Sequence, residues 1–110
     1  MARTNPLNQG DKVRLDASGA GAVTLTPTGL QQWHVTRMAV SVTTATLEPT
    51  AKVYVGSVSE QNLLSGTYSG ALDSSDEDQW LQAGQPLICV WAGGDAGATA
   101  TFSVFGDVIS

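Results

Sequence analysis

The feature of this sequence that most constrains its fold is a recurrence of short segments in which apolar and polar residues alternate, separated by turns rich in glycine. Strand signals recur about every 8–12 residues, a spacing typical of sandwiches and barrels. The alternation is cleanest where Ala98, Ala100, Phe102 and Val104 share one face of a predicted strand. No long stretch carries the roughly 3.6-residue period of an amphipathic helix. We therefore predict an all-β fold: a single-domain antiparallel β-sandwich of seven or eight strands, immunoglobulin-like or jelly-roll.

Three segments give this prediction its detail. Residues 87–91 are apolar throughout, which indicates a central strand covered on both faces. In residues 32–43 the apolar positions change parity, so we expect a bulge or a crossing between sheets near Thr36 and Arg37. The small residues 17–21 predict a hairpin between the first two strands.

The N-terminal segment differs from the rest of the chain because it carries no strand pattern. We predict residues 1–10 as a flexible N-terminal arm and residues 11–110 as the β-sandwich domain. Arg3 and Leu7 are the candidate contacts if the arm orders against a neighbouring protein. The alternative is a frayed terminus.

The charge distribution bounds the class of partner. Ten acidic residues against five basic ones give a net charge of −5, and no basic residue follows Lys52. Because phosphate recognition needs clustered Lys and Arg, we expect no nucleic-acid partner. No segment approaches the roughly 18 apolar residues of a membrane span, and the N-terminus leads into no apolar signal region, so we expect no membrane partner. The only cysteine, Cys89, lies in an apolar run and is expected to be a buried thiol.

No arrangement of residues in the sequence indicates catalysis. His34, the only histidine, has neither further metal ligands nor a nucleophile elbow beside it, so we expect a structural or surface role for it, no enzymatic activity and no cofactor. The acidic residues between Asp73 and Asp78 are predicted to form an exposed loop. Calcium binding by that loop is left open, because its carboxylates lack the spacing of an EF-hand.

The three tryptophans are expected to differ in role. Trp33 and Trp91 are predicted to fill the core, as large aromatic residues of a small sandwich usually do. Trp80 follows the acidic run on a short predicted strand, where an exposed aromatic side chain would anchor a partner. The candidate partner interface is therefore Arg3, Leu7 and Trp80, with no catalytic, cofactor-binding or metal-binding residue.

Four runs of the sequence resemble small all-β structural proteins of tailed bacteriophages that infect actinobacteria. The runs are QWHV (32–35), AKVYVG (51–56), SGTYSG (65–70) and VWAGGDAGATA (90–100). The resemblance implies a capsid decoration protein that binds the outer surface of the assembled phage head and reinforces it. It also implies the major capsid protein as partner, a homo-oligomer with a trimer preferred, and a place in the virion after synthesis in the bacterial host cytoplasm. The alternatives are a tail, fibre or connector component, or a carbohydrate- or receptor-binding module that uses Tyr68 and Trp80.

Overall fold

The computed structural model describes residues 4–43, 46–64, 68–69 and 72–109. In these ranges the chain is almost entirely β, and the predicted antiparallel sandwich is confirmed. The strands are β1 (Thr4–Arg14), β2 (Gly21–Leu25), β3 (Gln32–Val42), β4 (Thr50–Val55), β5 (Tyr68–Ser69), β6 (Leu72–Leu81), β7 (Leu87–Ala92) and β8 (Thr99–Ile109). A short 3-10 turn, Glu60–Asn62, follows β4. No helix in the described ranges is long enough to cross a membrane.

The strand order distinguishes the two sandwich types that the sequence left open. Sheet A has the order β1-β8-β3-β6, and sheet B has the order β2-β7-β4-β5. The pairs are nested: β1 with β8, β2 with β7, β3 with β6 and β4 with β5. A long hairpin rolled into two sheets gives this order, which is that of a jelly roll. The predicted hairpin between the first two strands is wrong, because β1 and β2 lie in different sheets.

The core lies between the two sheets and follows the predicted alternation. Trp91 and Cys89 of β7 are fully buried, and Trp33 of β3 is 4% exposed. The alternating side chains of β8 face the same interior, with Phe102 and Val104 fully buried. The predictions for the central strand, the closing strand and these two tryptophans are therefore confirmed.

The predicted parity change in the long third strand is also confirmed. The register of β3 shifts between Val35 and Arg37 against both of its neighbours, β6 and β8. Gly106 of β8 lies opposite Val35 with a φ of 154°, and a Cβ there would lie 1.9 Å from the carbonyl oxygen of His34. Only glycine allows the two backbones to approach so closely, so Gly106 makes room for the bulge.

The N-terminal segment corrects the prediction of a flexible arm. Residues 4–10 form the first part of β1 and pair continuously with β8. Leu7 is 3% exposed and belongs to the core, so its burial leaves it no surface for contact with a neighbouring protein. The sequence gives no strand pattern here, because only one face of the strand packs on the core and Leu7 is the only buried side chain of residues 4–10. Arg3 lies outside the described residues.

The acidic run corrects a second prediction, because it is a strand and not a loop. Residues 73–78 lie within β6, which pairs with β3. Even-numbered residues of β6 from Leu72 to Trp80 are exposed on the outer side of sheet A, and the odd-numbered residues 73–79 are half-buried on the other side. Strand formation here comes from backbone pairing at the rim of a sheet, where hydrophobic patterning is not required. The alternation also separates Asp76 and Asp78 from Asp73 and Glu77, so the four carboxylates do not converge on one ion.

In each of the two edge strands of sheet A, β1 and β6, an aspartate side chain accepts the backbone N–H of the next residue. The carboxylate of Asp11 accepts the backbone N–H of Lys12 at 2.8 Å, and the carboxylate of Asp73 accepts that of Ser74 at 2.8 Å. In both cases the aspartate binds a backbone N–H group that points away from the sheet and would otherwise be open to a further strand. Pro6 lies on the same alternation as Lys12, so its missing N–H costs no bond to β8. These features hinder the addition of a further strand to either edge.

Candidate binding face on sheet A

The outer face of sheet A has two halves that differ in side-chain size. Toward the end where β1 finishes, β3, β8 and β6 present the exposed Leu72 among mainly small residues, of which Ala39, Ser103 and Ser74 are cross-strand neighbours. Beyond the bulge, toward the end where Thr4 pairs with Ile109, the same three strands present large ones. This second region, the Trp80 patch, consists of His34, Arg37, Asp76, Asp78, Trp80, Phe105 and Asp107.

The centre of the Trp80 patch is an aromatic stack. The rings of His34 on β3 and Trp80 on β6 are directly opposite in register, 4.1 Å apart between centroids and inclined by 8°. Trp80 remains 49% exposed. The imidazole covers one face of the indole, so the exposed area of Trp80 includes the opposite ring face.

Two carboxylates lie beside the imidazole of His34, and that of Asp78 is hydrogen-bonded to it. Nε2 of His34 lies 2.6 Å from Oδ1 of Asp78, and Nδ1 lies 4.0 Å from Oδ2 of Asp107. An ionised carboxylate only accepts hydrogen bonds, so the Nε2–H of His34 is the donor to Asp78. His34 is thereby tied to β6 on one side and faces β8 on the other. The stack is fixed in orientation although it lies on the surface.

The single arginine of the patch is directed away from the acids of β6. Its guanidinium carbon lies 5.5 Å from the ring centroid of Phe105 on β8, within the range of a cation–π contact. Asp76 is the cross-strand neighbour of Arg37, yet the described residues contain no ion pair between the two. The carboxylates of Asp76 and Asp78 therefore receive no compensation from Arg37.

Neither His34 nor Cys89 is placed for nucleophilic chemistry in the described part of the chain. Both ring nitrogens of His34 face carboxylates, so within the described part of the chain the imidazole has no hydroxyl or thiol to activate. Cys89 is fully buried, and burial raises the pKa of its thiol far above the ordinary value. A buried neutral thiol is inert as a nucleophile.

The sequence identified one residue of this patch as a partner contact and missed the others. Trp80 is exposed on the outer face, as its predicted role requires. His34 was assigned only a structural or surface role, and Arg37 and Asp107 were not singled out. The strand pairing that joins them has no local signal. For the alternative site, the side chain of Tyr68 lies outside the described residues.

Comparison with known proteins adds a structural neighbour of low similarity. It is the crystal structure of PliG from Aeromonas hydrophila, a periplasmic lysozyme inhibitor of g-type lysozyme. The chains are 12% identical with a TM-score of 0.45, and the match covers 96% of this chain and 88% of that one. No protein-family model and no curated protein matches the chain. At this level of similarity the target of the neighbour is not transferred to this chain.

The function predicted from the phage resemblance is wrong by this comparison. The neighbour is a periplasmic bacterial protein and not a structural protein of a phage, which overturns the capsid decoration function and the tail, fibre or connector alternative. The resemblance itself, the oligomeric state and the place in a virion stay predictions.

Proposed function

We propose that this chain is a non-enzymatic binding protein that recognises a partner protein through the Trp80 patch. The observation that carries the proposal is the half-exposed indole of Trp80, stacked on His34, which is itself hydrogen-bonded to Asp78. Fixed aromatic side chains of this kind dominate the energetics of protein interfaces, because they bury a large area with little loss of conformational entropy.

The position of the indole supports a role in recognition over a role in folding. Trp80 lies on the outer face of sheet A, while the core lies against the inner face. A tryptophan with half of its surface in water contributes less to the hydrophobic stabilisation of its own domain than a fully buried one. Its restraint by His34 and Asp78 lowers the cost of ordering it on binding.

The edges of sheet A are poorly suited to binding by strand addition, which supports its outer face as the binding surface. Asp11 and Asp73 occupy main-chain donors at the two outer strands, and Pro6 removes another. Recognition by strand addition needs a row of open donors and acceptors, which these residues interrupt. Side chains on the sheet face are the alternative surface, and the Trp80 patch is its aromatic and charged region.

The test is a capture experiment followed by reconstitution. The immobilised protein, Trp80→Ala and Leu30→Ala would be exposed to an extract of the cells that make the chain. A protein retained by the wild type would be identified, purified and titrated by calorimetry. Leu30 is the control for the loss of an exposed apolar side chain, because it is 94% exposed on the loop that joins β2 to β3.

We expect Trp80→Ala to weaken the dissociation constant of the reconstituted complex by at least about tenfold, which is the range of an interface hot spot. Leu30→Ala is expected to bind like the wild type. Equal affinity of Trp80→Ala and the wild type for the purified partner would overturn the proposal.

A further inference from the structure

We infer that the partner presents an arginine side chain to the Trp80 patch, with its guanidinium stacked on the free face of the indole and paired with the carboxylates of β6. This inference rests on the proposed function and adds the chemistry of the contact. Three features of the patch carry it: the charge of β6, the orientation of Arg37 and the shape of the stack.

The charge of the patch is uncompensated on the side of β6. This strand contains four acidic residues and no basic one, and the whole chain after Lys52 has seven acidic residues and no basic one. Asp78 is 82% exposed in its side chain, and only its Oδ1 is engaged, by His34. In the described part of the chain neither Oδ2 of Asp78 nor the carboxylate of Asp76 has a hydrogen-bond partner. Carboxylates fixed beside an exposed aromatic ring attract a cation.

The residue that would neutralise these acids from within the chain is turned away. Arg37 is opposite Asp76 in register but lies over Phe105, on the far side of β3 from β6. Apart from His34, the described residues place no other basic side chain on β3, β6 or β8. No Lys or Arg of these three strands pairs with Asp76, which leaves its carboxylate open to a cation of another molecule.

The shape of the site favours guanidinium over ammonium. The rings of His34 and Trp80 are nearly parallel, and a planar guanidinium extends such a stack by one more layer. Asp78 and Trp80 are two residues apart on the same exposed side of β6, a separation of about 7 Å along a strand. A guanidinium within about 6 Å of the ring centroid lies within reach of the carboxylate and donates to it with its N–H groups. An ammonium group would satisfy the charge and lose the stacking.

The experiment uses short peptides as probes of the intact protein. Tetra-arginine, tetra-lysine and tetra-glutamate amides would be titrated at low salt into the wild type, Trp80→Ala, Asp76→Asn and Leu30→Ala. Binding would be followed by calorimetry and by the indole N–H resonance of Trp80, assigned from its disappearance in Trp80→Ala. Asp76→Asn removes one carboxylate without touching the stack, and circular dichroism would confirm that each variant is folded.

We expect tetra-arginine to shift the Trp80 resonance and to bind several-fold more tightly than tetra-lysine. We expect no binding of tetra-glutamate. Trp80→Ala should weaken binding of tetra-arginine by about tenfold, and Asp76→Asn by a smaller factor. Leu30→Ala should have no effect, and added salt should weaken the binding to the wild type.

Four results would overturn the inference. The first is equal affinity for the arginine and lysine peptides, and the second is equal loss of affinity in Leu30→Ala and Trp80→Ala. The third is a wild-type dimer in sedimentation that Trp80→Ala converts to a monomer, because a second copy would then cover the patch. If tetra-arginine fails to bind while the reconstituted partner still depends on Trp80, the arginine contact is wrong and the proposed function stands.

Discussion

The tryptophans on the two sides of sheet A have opposite surroundings although they lie close together. Trp33 and Trp80 belong to adjacent strands and to neighbouring register positions, yet Trp33 is 4% exposed and Trp80 is 49% exposed. The buried indole lies among apolar side chains, and its Nε1 has no hydrogen-bond partner in the described part of the chain. The exposed indole is positioned by a histidine and a carboxylate. Trp33 fills space in the core, and Trp80 presents a ring of fixed orientation to the solvent.

The strongest way to test this contrast is to remove a tryptophan from the interior. Trp91→Ala should lower the free energy of unfolding by about 3–5 kcal/mol, because it leaves a cavity at a fully buried site of the central strand β7. Chemical denaturation would measure the change. A soluble variant with an unchanged midpoint would show that this indole does not stabilise the core.

Gly106 lies opposite the buried Val35 and against the backbone of His34, whose side chain is on the outer face, so its substitution should disturb both faces of sheet A. Gly106→Ala is expected to cost at least about 1–3 kcal/mol for the backbone strain alone. Its Cβ would also meet the backbone of His34 at 1.9 Å, so the Trp80–His34 stack should be displaced with it.

Gly29→Ala is the matched control for this variant. Gly29 also has a positive φ, 61°, but nothing lies within 4 Å of an added Cβ. Thermal unfolding and the indole resonance of Trp80 would be compared in the two variants. If both lose the same stability and both keep the stack, the close approach at Gly106 has no role.

Removing the exposed tryptophan should leave the fold almost unchanged. Trp80→Ala is expected to lower the free energy of unfolding by about 0.5–1.5 kcal/mol, the range of a lost aromatic pair, and so by much less than Trp91→Ala. The same denaturation measurement as for Trp91→Ala would check it. A loss comparable to that of Trp91→Ala would remove the distinction between the inner and the outer tryptophans.

The smallest expected effect lies outside both faces, in the turn after β1. The side-chain hydroxyl of Ser18 and the backbone N–H groups of Ala20 and Ser18 donate to Asp16, and these bonds hold the pKa of its carboxyl below the ordinary value. A lowered pKa in the folded state means that the stabilisation is complete above the unfolded-state pKa, about 3.9, and is lost as the pH falls toward the folded-state value. Asp16→Asn should therefore have a lower thermal midpoint at neutral pH, with the difference shrinking in acid. A difference that grows in acid would contradict this account.

The sequence predicted the interior of the molecule better than its rim. The apolar run 87–91 and the alternation around Phe102 are hydrophobic patterns that burial itself imposes, so the sequence predicted the central strands. The acidic part of β6, residues 73–78, was not predicted, because acidic and small polar residues occupy both of its sides, and pairing with β3 overrides their low strand propensity. The first part of β1 was missed for the same reason.

The candidate site was predictable only in part. Trp80 could be singled out because a large aromatic residue next to an acidic run is unusual for a core position. Its association with His34 and Asp107 depends on strands that are distant in the chain and on the register set by the bulge at Val35–Arg37. Nothing local in the sequence specifies that register, since the strand that completes it, β8, begins more than fifty residues after His34.

The nested strand order has a consequence for how the protein is made. β8 occupies an inner position of sheet A between β1 and β3, although it is the last strand of the described chain. Because a ribosome delivers the N-terminal strands first, β1 and β3 emerge without the strand that separates them and cannot form sheet A until β8 has been synthesised. The sheet that carries the Trp80 patch is thus completed only after β8 has been translated. A chain shortened within β8 would lose the strand that pairs with both β1 and β3, so sheet A could not form.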